Sequence, residues 1–194
     1  NGHPRQVEDH LLLVDPQLRL LTGLPRADMW PHIRPGALEL VLRELRSLAE
    51  LTIVDCGFAL EPGSGSVARN QATLQALDQA DEVVAVGRAD PVGLARLVRG
   101  LHELADVRRN ATQPTVVVNM MRTTLGWKER EVDSTLRRLT PLGSTTFLPF
   151  DQAGLDAALM SGRTPRMTSP TSPFVARVEV LAKQLVSRST VPAS

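Results

Sequence analysis

Residues 82–119 decide the fold, and they read Glu82-Val-Val-Ala-Val-Gly87, then Asp90-Pro91, then Thr115-Val-Val-Val-Asn119. The two apolar runs do not alternate with polar residues, which is typical of parallel strands buried on both faces. Between them, Asp90 is a suitable N-cap and Pro91 a suitable first residue for a helix over 91–105. Strand, helix and strand in this order predict a right-handed βαβ crossover.

The same alternation extends in both directions along the 194 residues. Further strands are predicted at 51–55 and 145–149, with a candidate fifth at 18–22. Helices are predicted at 37–49, 71–80 and 128–139, after the capping residue Asp151, and from Ser172-Pro173 onward. The pattern predicts an α/β fold of three layers, αβα, around a mostly parallel sheet. We expect one domain over 1–186 and a frayed tail over 187–194.

Composition excludes several classes of function. The 22 Lys and Arg balance 21 Asp and Glu without a basic stripe, so we expect no direct nucleic-acid binding. One cysteine, Cys56, and four scattered histidines have no metal-ligand spacing. No apolar run approaches the roughly 18 residues that span a bilayer. The bias towards Arg, Ala, Leu and Val favours a bacterial protein, and we expect it in the cytoplasm.

Polar residues at the ends of the predicted strands are the candidates for chemistry, because parallel sheets bind ligands there. Asp55 ends an apolar strand, so it could hold Mg²⁺ through a water molecule beside a phosphate; alternatively, it caps a turn. The amide of Asn119 suits the edge of a nucleotide base, although Asn also ends strands as a turn residue. The last strand leads into Pro149-Phe150-Asp151.

Several of these motifs together carry a resemblance to a known family. The succession is Ile53-Val-Asp-Cys-Gly57, Ala80-Asp-Glu-Val-Val-Ala-Val86, Val116-Val-Val-Asn119 and Phe147-Leu-Pro149. It resembles the second half of the MinD/ParA family of deviant-Walker P-loop ATPases. Three further motifs resemble an actinobacterial branch akin to the CpaE, TadZ and septum-site-determining proteins: Leu21-Thr-Gly-Leu-Pro-Arg-Ala-Asp28, Arg69-Asn-Gln-Ala-Thr-Leu74 and Asp90-Pro-Val-Gly93.

The resemblance implies a P-loop NTPase-like fold of the SIMIBI type and a homodimeric, ATP- and Mg²⁺-dependent switch that positions septa, pili or chromosomes. It matches Asp55 to the Walker B acid, and Gly57 with the segment to Ser66 to switch II. It also matches Asn119 to the residue that recognises adenine, with Pro149 and Asp151 at the border of the base pocket. Protein partners of a division or pilus apparatus would recruit it to pole or septum. The tail 187–194 is too short and polar for a membrane anchor.

The chain departs from the family at its front, since no G-x-x-x-x-G-K-[ST] phosphate loop occurs in it. Neither of its two lysines, Lys128 and Lys183, replaces the loop lysine. Because residue 1 is Asn, we expect the C-terminal part of a longer protein, inactive alone. In P-loop folds the strand leading to this loop lies centrally. We therefore expect an additional strand between 51–55 and 83–87, from an upstream segment or a second chain.

Two other functions remain open at this stage. A pseudo-ATPase could keep the fold as an interaction module that localises partners, without hydrolysis. A flavodoxin-like receiver would also end a strand in an acid, as Asp55 does, but the acidic pair expected near its first strand has no counterpart here.

Overall fold

The structure is a computed structural model that describes residues 5–61, 70–108 and 112–189. The helices are α1 (Arg5–Glu8), α2 (Pro35–Leu48), α3 (Gln71–Gln79), α4 (Pro91–Val107), α5 (Glu129–Leu139), α6 (Gln152–Ser161), α7 (Pro165–Thr168) and α8 (Pro173–Ser189). The strands are β1 (Leu12–Asp15), β2 (Leu18–Leu20), β3 (Val84–Arg88), β4 (Thr115–Met121) and β5 (Thr145–Pro149). Short 3-10 helices cover Ala27–His32 and Thr123–Leu125. The chain forms two compact units, Asn1–Gln79 and Ala80–Ser194.

The first unit combines a β-hairpin with two contacting helices. Strands β1 and β2 pair antiparallel, with Leu12 opposite Leu20. Helix α2 contacts α3, and each helix has one buried apolar residue, Leu42 on α2 and Ala76 on α3. The candidate strand at 18–22 is therefore half of a hairpin and not a parallel strand, because two connecting residues can join only antiparallel neighbours.

The predicted strand at 51–55 is not formed. Residues 51–57 have no regular secondary structure, and Ile53 and Phe58 are 85% and 97% exposed. A strand exists only where a neighbour completes its backbone hydrogen bonds, and no described strand pairs with this segment. The prediction was wrong because apolar composition reports the tendency to be buried, not the presence of a pairing partner.

The second unit is built on a parallel sheet of order β3-β4-β5. Val84 lies opposite Thr115, and Val116 opposite Thr145. The predicted strands at 82–87, 115–119 and 145–149 are confirmed, with small shifts of their ends. One face of the sheet packs against α4 and α5 in a cluster of buried side chains, which includes Leu97, Leu101, Val116, Val118, Val132, Leu136 and Phe147.

The opposite face of this sheet is covered over β4 and β5, whereas Val86 of β3, which pairs with Val117 on that face, is 63% exposed. Side chains alternate along a strand, so Thr115 and Val117 face away from Val116; all three are at most 2% exposed. Arg188 of α8 donates to Thr115 Oγ1 at 2.9 Å, and α8 contacts β5. Helices thus flank both faces of a parallel sheet, which confirms the predicted three-layer α/β fold.

Helix α4 begins where the sequence predicts. The Asp90 carboxylate accepts the backbone N–H of Gly93 at 2.8 Å, and Pro91 is the first helical residue. Gly93 suits this turn because a Cβ there would lie 2.6 Å from the carbonyl oxygen of Arg88. The cap therefore sets both the start of α4 and its close approach to the end of β3.

Three predictions, on the additional strand, the C-terminal tail and the number of domains, remain predictions. Among the described residues, β4 is the only strand that pairs with β3, so the extra strand expected between 51–55 and 83–87 stays a prediction. Helix α8 includes residues 187–189 of the expected tail, and 190–194 lie outside the described residues. The assignment of 1–186 to one domain stays a prediction.

Candidate functional site

The carboxyl ends of the three parallel strands meet at one edge of the second unit. The backbone N–H of Ala89 donates to the carbonyl of Asn119 at 2.8 Å, and that of Phe150 donates to the carbonyl of Met121 at 2.9 Å. We call this the carboxyl edge; it comprises residues 88–90, 119–122 and 149–151. It brings together three of the predicted site residues, Asn119, Pro149 and Asp151.

Asn119 lies in an irregular part of β4. The register with β5 shifts between Val118 and Met121, and Met120 has a φ of 62°. The side-chain oxygen of Asn119 accepts the backbone N–H of Met120 at 2.7 Å. A non-glycine residue in this left-handed region is strained by about 1–2 kcal/mol, and such strain is concentrated at functional sites. The bulge therefore gives Asn119 a local structural role and directs the strand end away from regular pairing.

The Asn119 side chain keeps capacity for a ligand. Among the described residues its amide nitrogen has no hydrogen-bond partner, and an amide oxygen has two lone pairs of which Met120 uses one. The side chain can therefore donate and accept at the same time, as an adenine edge requires. The turn-residue interpretation and the base-recognition interpretation are thus compatible in one side chain.

Asp151 is held by the protein itself. One carboxylate oxygen accepts the backbone N–H of Gly154 at 2.9 Å and caps α6; the other accepts the hydroxyl of Ser172. The Ser172 hydroxyl first, and the Gly154 N–H second, lower the pKa of the Asp151 carboxyl. The predicted cap is confirmed, and the side chain fixes α6 and the residue before α8 behind Pro149.

The sequence did not identify two side chains of the carboxyl edge, Arg122 and Phe150, as candidate site residues. The guanidinium carbon of Arg122 lies 5.6 Å from the centre of the Phe150 ring, within cation–π range. Phe150 is 40% exposed, and Arg122 is exposed as well. A clue was available, since one of only four phenylalanines in the chain directly follows Pro149.

The end of β3 contributes a fixed ion pair to the same edge. Arg88 Nε lies 3.0 Å from the second oxygen of Asp90. The Gly93 N–H first, with the Arg88 guanidinium adding to it, holds the pKa of the Asp90 carboxyl below its usual value. Arg88 is the more exposed partner of this pair, so its charge faces solvent beside Asn119.

Asp55 and Gly57 belong to the first unit, in the irregular segment described above. Both are exposed. Partial desolvation, and then the Asp55 carboxylate, raise the pKa of the Cys56 thiol, which disfavours the reactive thiolate. The switch II match extends over residues 62–66, which lie outside the described residues.

The donor chemistry of Asp55 fits the implied Mg²⁺, which binds through one or two carboxylates together with water and phosphate oxygens. A closed metal site is a different matter: the described residues hold no group of three or more His, Cys, Asp or Glu poised to bind a metal. Towards a nucleotide base, the Asn119 amide offers both a donor and an acceptor, and Phe150 is 40% exposed. No phosphate-loop motif occurs in the chain.

A separate groove of about 380 Å³ lies away from the carboxyl edge, between α5 and α8 and beside the first residues of β5. Its lining is mainly polar and includes the pair Arg137–Asp133, 2.9 Å apart. The Arg137 guanidinium is the first cause that lowers the pKa of the Asp133 carboxyl. The groove holds none of the predicted site residues, so we do not assign the function to it.

The fold has a counterpart among solved structures. The crystal structure of a ParA family ATPase from Chlorobium tepidum TLS matches with a TM-score of 0.66 and 16% sequence identity, over 96% of this chain and 70% of that chain. The sequence matches no protein-family model and no curated protein. At this identity the likeness shows the fold alone, a P-loop NTPase-like α/β fold. None of the helices that the structure describes is long and apolar enough to cross a membrane.

Proposed function

We propose that this chain is the C-terminal, base-binding part of an ATP-dependent positioning switch of the MinD/ParA class. The proposal depends on one observation at the carboxyl edge: Asn119, at a bulge with a strained neighbour, and the Arg122–Phe150 pair are both found there. The fold of this chain is also similar to that of a ParA family ATPase over 96% of this chain. The phosphate loop would come from sequence outside these 194 residues.

Each side chain of the carboxyl edge would have a different role in binding adenine. Asn119 would donate to N7 and accept from N6, the pairing that distinguishes adenine from guanine. The exposed ring of Phe150, oriented by Arg122, offers a face on which a base can stack. Pro149 would restrict the backbone at the border of the base pocket. Asp151 caps α6 by accepting the Gly154 N–H and so fixes the start of that helix.

Asp55 would hold the water shell of Mg²⁺ beside the phosphates, as an acid at that point of the chain does in the family. The metal would neutralise charge developing on the phosphate oxygens. ATP binding and hydrolysis would then switch a homodimer that positions a septum, pilus or chromosome through protein partners. We propose a CpaE- or TadZ-like role in a bacterial cytoplasm, with recruitment to the pole or septum.

A nucleoside titration tests the base-binding part directly. Adenosine and guanosine are each titrated to millimolar concentration into the ¹⁵N-labelled chain, and amide shifts are followed by NMR. We expect adenosine to shift the amides of residues 119–122 and 150 more than guanosine does, with a Kd on the order of millimolar because the phosphate contacts are absent. Shifts that are equal for both nucleosides, or confined to other parts of the chain, would contradict the proposal.

A pseudo-ATPase interaction module is the second candidate. Among the residues that the structure describes, no strand pairs with the segment that contains Asp55, and Ile53 in this segment is 85% exposed. This observation favours a protein whose phosphate-binding residues have been lost. ATP turnover by the complete protein distinguishes the two candidates. Hydrolysis that requires Mg²⁺ supports the switch, and its absence despite adenosine binding at the carboxyl edge supports the pseudo-ATPase.

A further inference from the structure

The groove between α5 and α8 gives access to one edge of the parallel sheet. Three consecutive residues of β5, 145–147, line it together with residues of both helices. Successive side chains of a strand point to opposite faces of a sheet, so a cavity over one face would touch only alternate residues. Helices α5 and α8 also cover opposite faces of this sheet. The groove therefore lies at the outer edge of β5.

Backbone groups of β5 point towards this groove. The N–H of Val116 donates to the carbonyl of Ser144 at 2.8 Å, so the carbonyl of Ser144 faces β4. Since the backbone groups of successive residues point to alternate sides of a strand, those of Thr145 and Phe147 point away from β4. Among the described residues, β4 is the only strand that pairs with β5. Two N–H and two C=O groups of this edge are thus available to a partner backbone.

The available stretch of this edge is short. Arg137 donates to the carbonyl of Gly143 at 3.3 Å just before β5 begins, and Pro149 at its end has no N–H. The groove between them, of about 380 Å³, is at the lower end of the volumes of ligand pockets. A helix is about 10–12 Å across and has already paired its own backbone groups. The groove therefore suits one extended segment of chain.

The flanking helices hinder direct pairing of two copies through β5. Paired strands lie about 4.8 Å apart, and side chains of α5 and α8 line the groove on either side of the strand. In a symmetric pair, the helices of one copy would meet those of the other before the two strands reached this distance. The recessed edge thus favours a narrow segment that enters between the helices.

Side chains around the edge favour a particular sequence in this segment. Both acids of the lining are already paired with arginines, Glu129 with Arg177 and Asp133 with Arg137. Arg130 also lines the groove, is exposed and makes no ion pair among the described residues. On α8, Val180 lines the groove and is 50% exposed. Because an added strand presents alternate side chains to the two helices, acidic residues would meet Arg130 and apolar ones would cover Val180.

We propose that this groove binds an extended segment of a partner protein, which joins the sheet as a further strand beside β5. The backbone of the segment pairs with the N–H and C=O groups of Thr145 and Phe147, as in strand addition at other sheet edges. Acidic residues alternate with β-branched ones in the segment, the former against Arg130 and the latter against Val180. Binding does not depend on a nucleotide at the carboxyl edge.

Three synthetic peptides of seven residues test the backbone contacts. The first alternates valine with glutamate and carries a fluorescent dye. The other two have the same sequence and dye, with N-methyl groups on all the valines or on all the glutamates. Only alternate N–H groups of an added strand face β5, so we expect one N-methylated peptide to bind at least about 10-fold more weakly than the first. The other should keep its affinity, as measured by fluorescence anisotropy.

Substitutions of Thr145 test the same contact from the side of the protein. Its N–H faces away from β4, so Thr145→Pro removes an edge donor without removing a hydrogen bond of the sheet. We expect this variant to bind the first peptide about 5-fold more weakly. Thr145→Val keeps the N–H and should bind like the parent. Circular dichroism checks the fold, and if Thr145→Pro does not fold, the N-methylated peptides decide alone.

A peptide with lysine in place of glutamate tests the charge. We expect it to bind about 3-fold more weakly than the first peptide, and Arg130→Glu should reverse this preference. Arg138→Glu is the matched control, because Arg138 is an exposed arginine of the same helix that does not line the groove. This variant should keep the preference for glutamate.

Four results would overturn the proposal. The first is no binding of the unmodified peptide at millimolar concentration, and the second is equal affinity of the two N-methylated peptides. The third is equal affinity of the glutamate and lysine peptides. The fourth is a dimer, detected by light scattering, that becomes monomeric in Thr145→Pro, because the edge would then pair with a second copy.

Discussion

Substitution of Asn119 separates its structural role from its role at a base. The side-chain oxygen accepts the N–H of Met120 at 2.7 Å, and the amide nitrogen is the donor proposed for adenine. Asn119→Asp keeps an acceptor for Met120 and removes both donors, whereas Asn119→Ala removes acceptor and donors together. Both variants therefore lose the donor proposed for adenine N7, and only Asn119→Ala also loses the oxygen that accepts the Met120 N–H.

The stability arm follows from the hydrogen bond to Met120. A typical intramolecular hydrogen bond contributes about 0.5–1.5 kcal/mol net, and this one also supports a residue at φ 62°. We expect Asn119→Ala to lower the free energy of unfolding by about 1 kcal/mol, or the Tm by about 2–4 °C for a chain of this size. Asn119→Asp should stay close to the parent. Urea unfolding followed by circular dichroism measures both.

The binding arm uses the adenosine and guanosine titrations. Asn119→Asp loses only the donor to N7, and the loss of one hydrogen bond of about 1 kcal/mol should weaken its binding of adenosine by about 5-fold. Asn119→Ala also loses the acceptor for N6 and should bind adenosine more weakly still. The carboxylate that Asn119→Asp introduces would also accept from the N1–H and N2–H₂ groups of guanine, so the preference for adenosine should narrow most in this variant. Asn70→Asp is a control, because Asn70 donates to Glu61 in the first unit.

Two outcomes would refute this reasoning. If Asn119→Asp destabilises the chain as much as Asn119→Ala does, the acceptor role towards Met120 is wrong. If the adenosine-to-guanosine ratio is unchanged in both variants, Asn119 is only a turn residue.

Four further predictions concern the nucleotide, the fold and pH. The chain alone should not bind Mg-ATP tightly, because phosphate contacts supply most of the positioning in such sites; micromolar affinity by calorimetry would contradict this. In the complete protein, Asp55→Ala should reduce ATP turnover far more than it changes the urea midpoint, and equal turnover would remove Asp55 from the site. Gly93→Ala should lower the free energy of unfolding by about 1–3 kcal/mol, since the new Cβ would meet the carbonyl of Arg88. Gly100 lies in the same helix, and a Cβ there would meet no atom within 4 Å, so Gly100→Ala should raise the free energy of unfolding by about 0.5–1 kcal/mol. Equal changes for the two variants in urea titrations would refute the clash predicted at Gly93. Folding lowers the pKa of the Asp151 carboxyl, so its ionised form should stabilise the fold fully at pH values well above the ordinary 3.8, and this stabilisation should be lost as the pH falls through the lowered pKa. The urea midpoint of Asp151→Asn should therefore fall less between neutral and acidic pH than that of the parent. An equal fall in both proteins would show that Asp151 does not cause the loss of stability in acid.

Sequence-based prediction succeeded where local chemistry alone determines the structure. Continuous β-branched runs predict β3, β4 and β5, and Asp90 with Pro91 predicts the start of α4. It failed where a partner decides: the segment with Ile53 is as apolar as β3 but has no neighbouring strand among the described residues. At the site, the positions of Asn119 and Asp151 follow from the strand ends. The left-handed Met120 could not be predicted, because it arises from a register shift between strands.

The proposals for Asp55 and for an additional strand depend on each other. Val86 on β3 is 63% exposed and Ile53 is 85% exposed, although both lie in runs with the composition of buried strands. A strand between 51–55 and 83–87 would complete the backbone hydrogen bonds of both segments, and each such group costs about 1–3 kcal/mol when it is buried without a partner. Only then would Asp55 become the last residue of a strand and point into a ligand crevice. If no such strand joins them, Asp55 has no fixed direction and the pseudo-ATPase becomes the better description, while Asn119 and the rest of the carboxyl edge are unaffected.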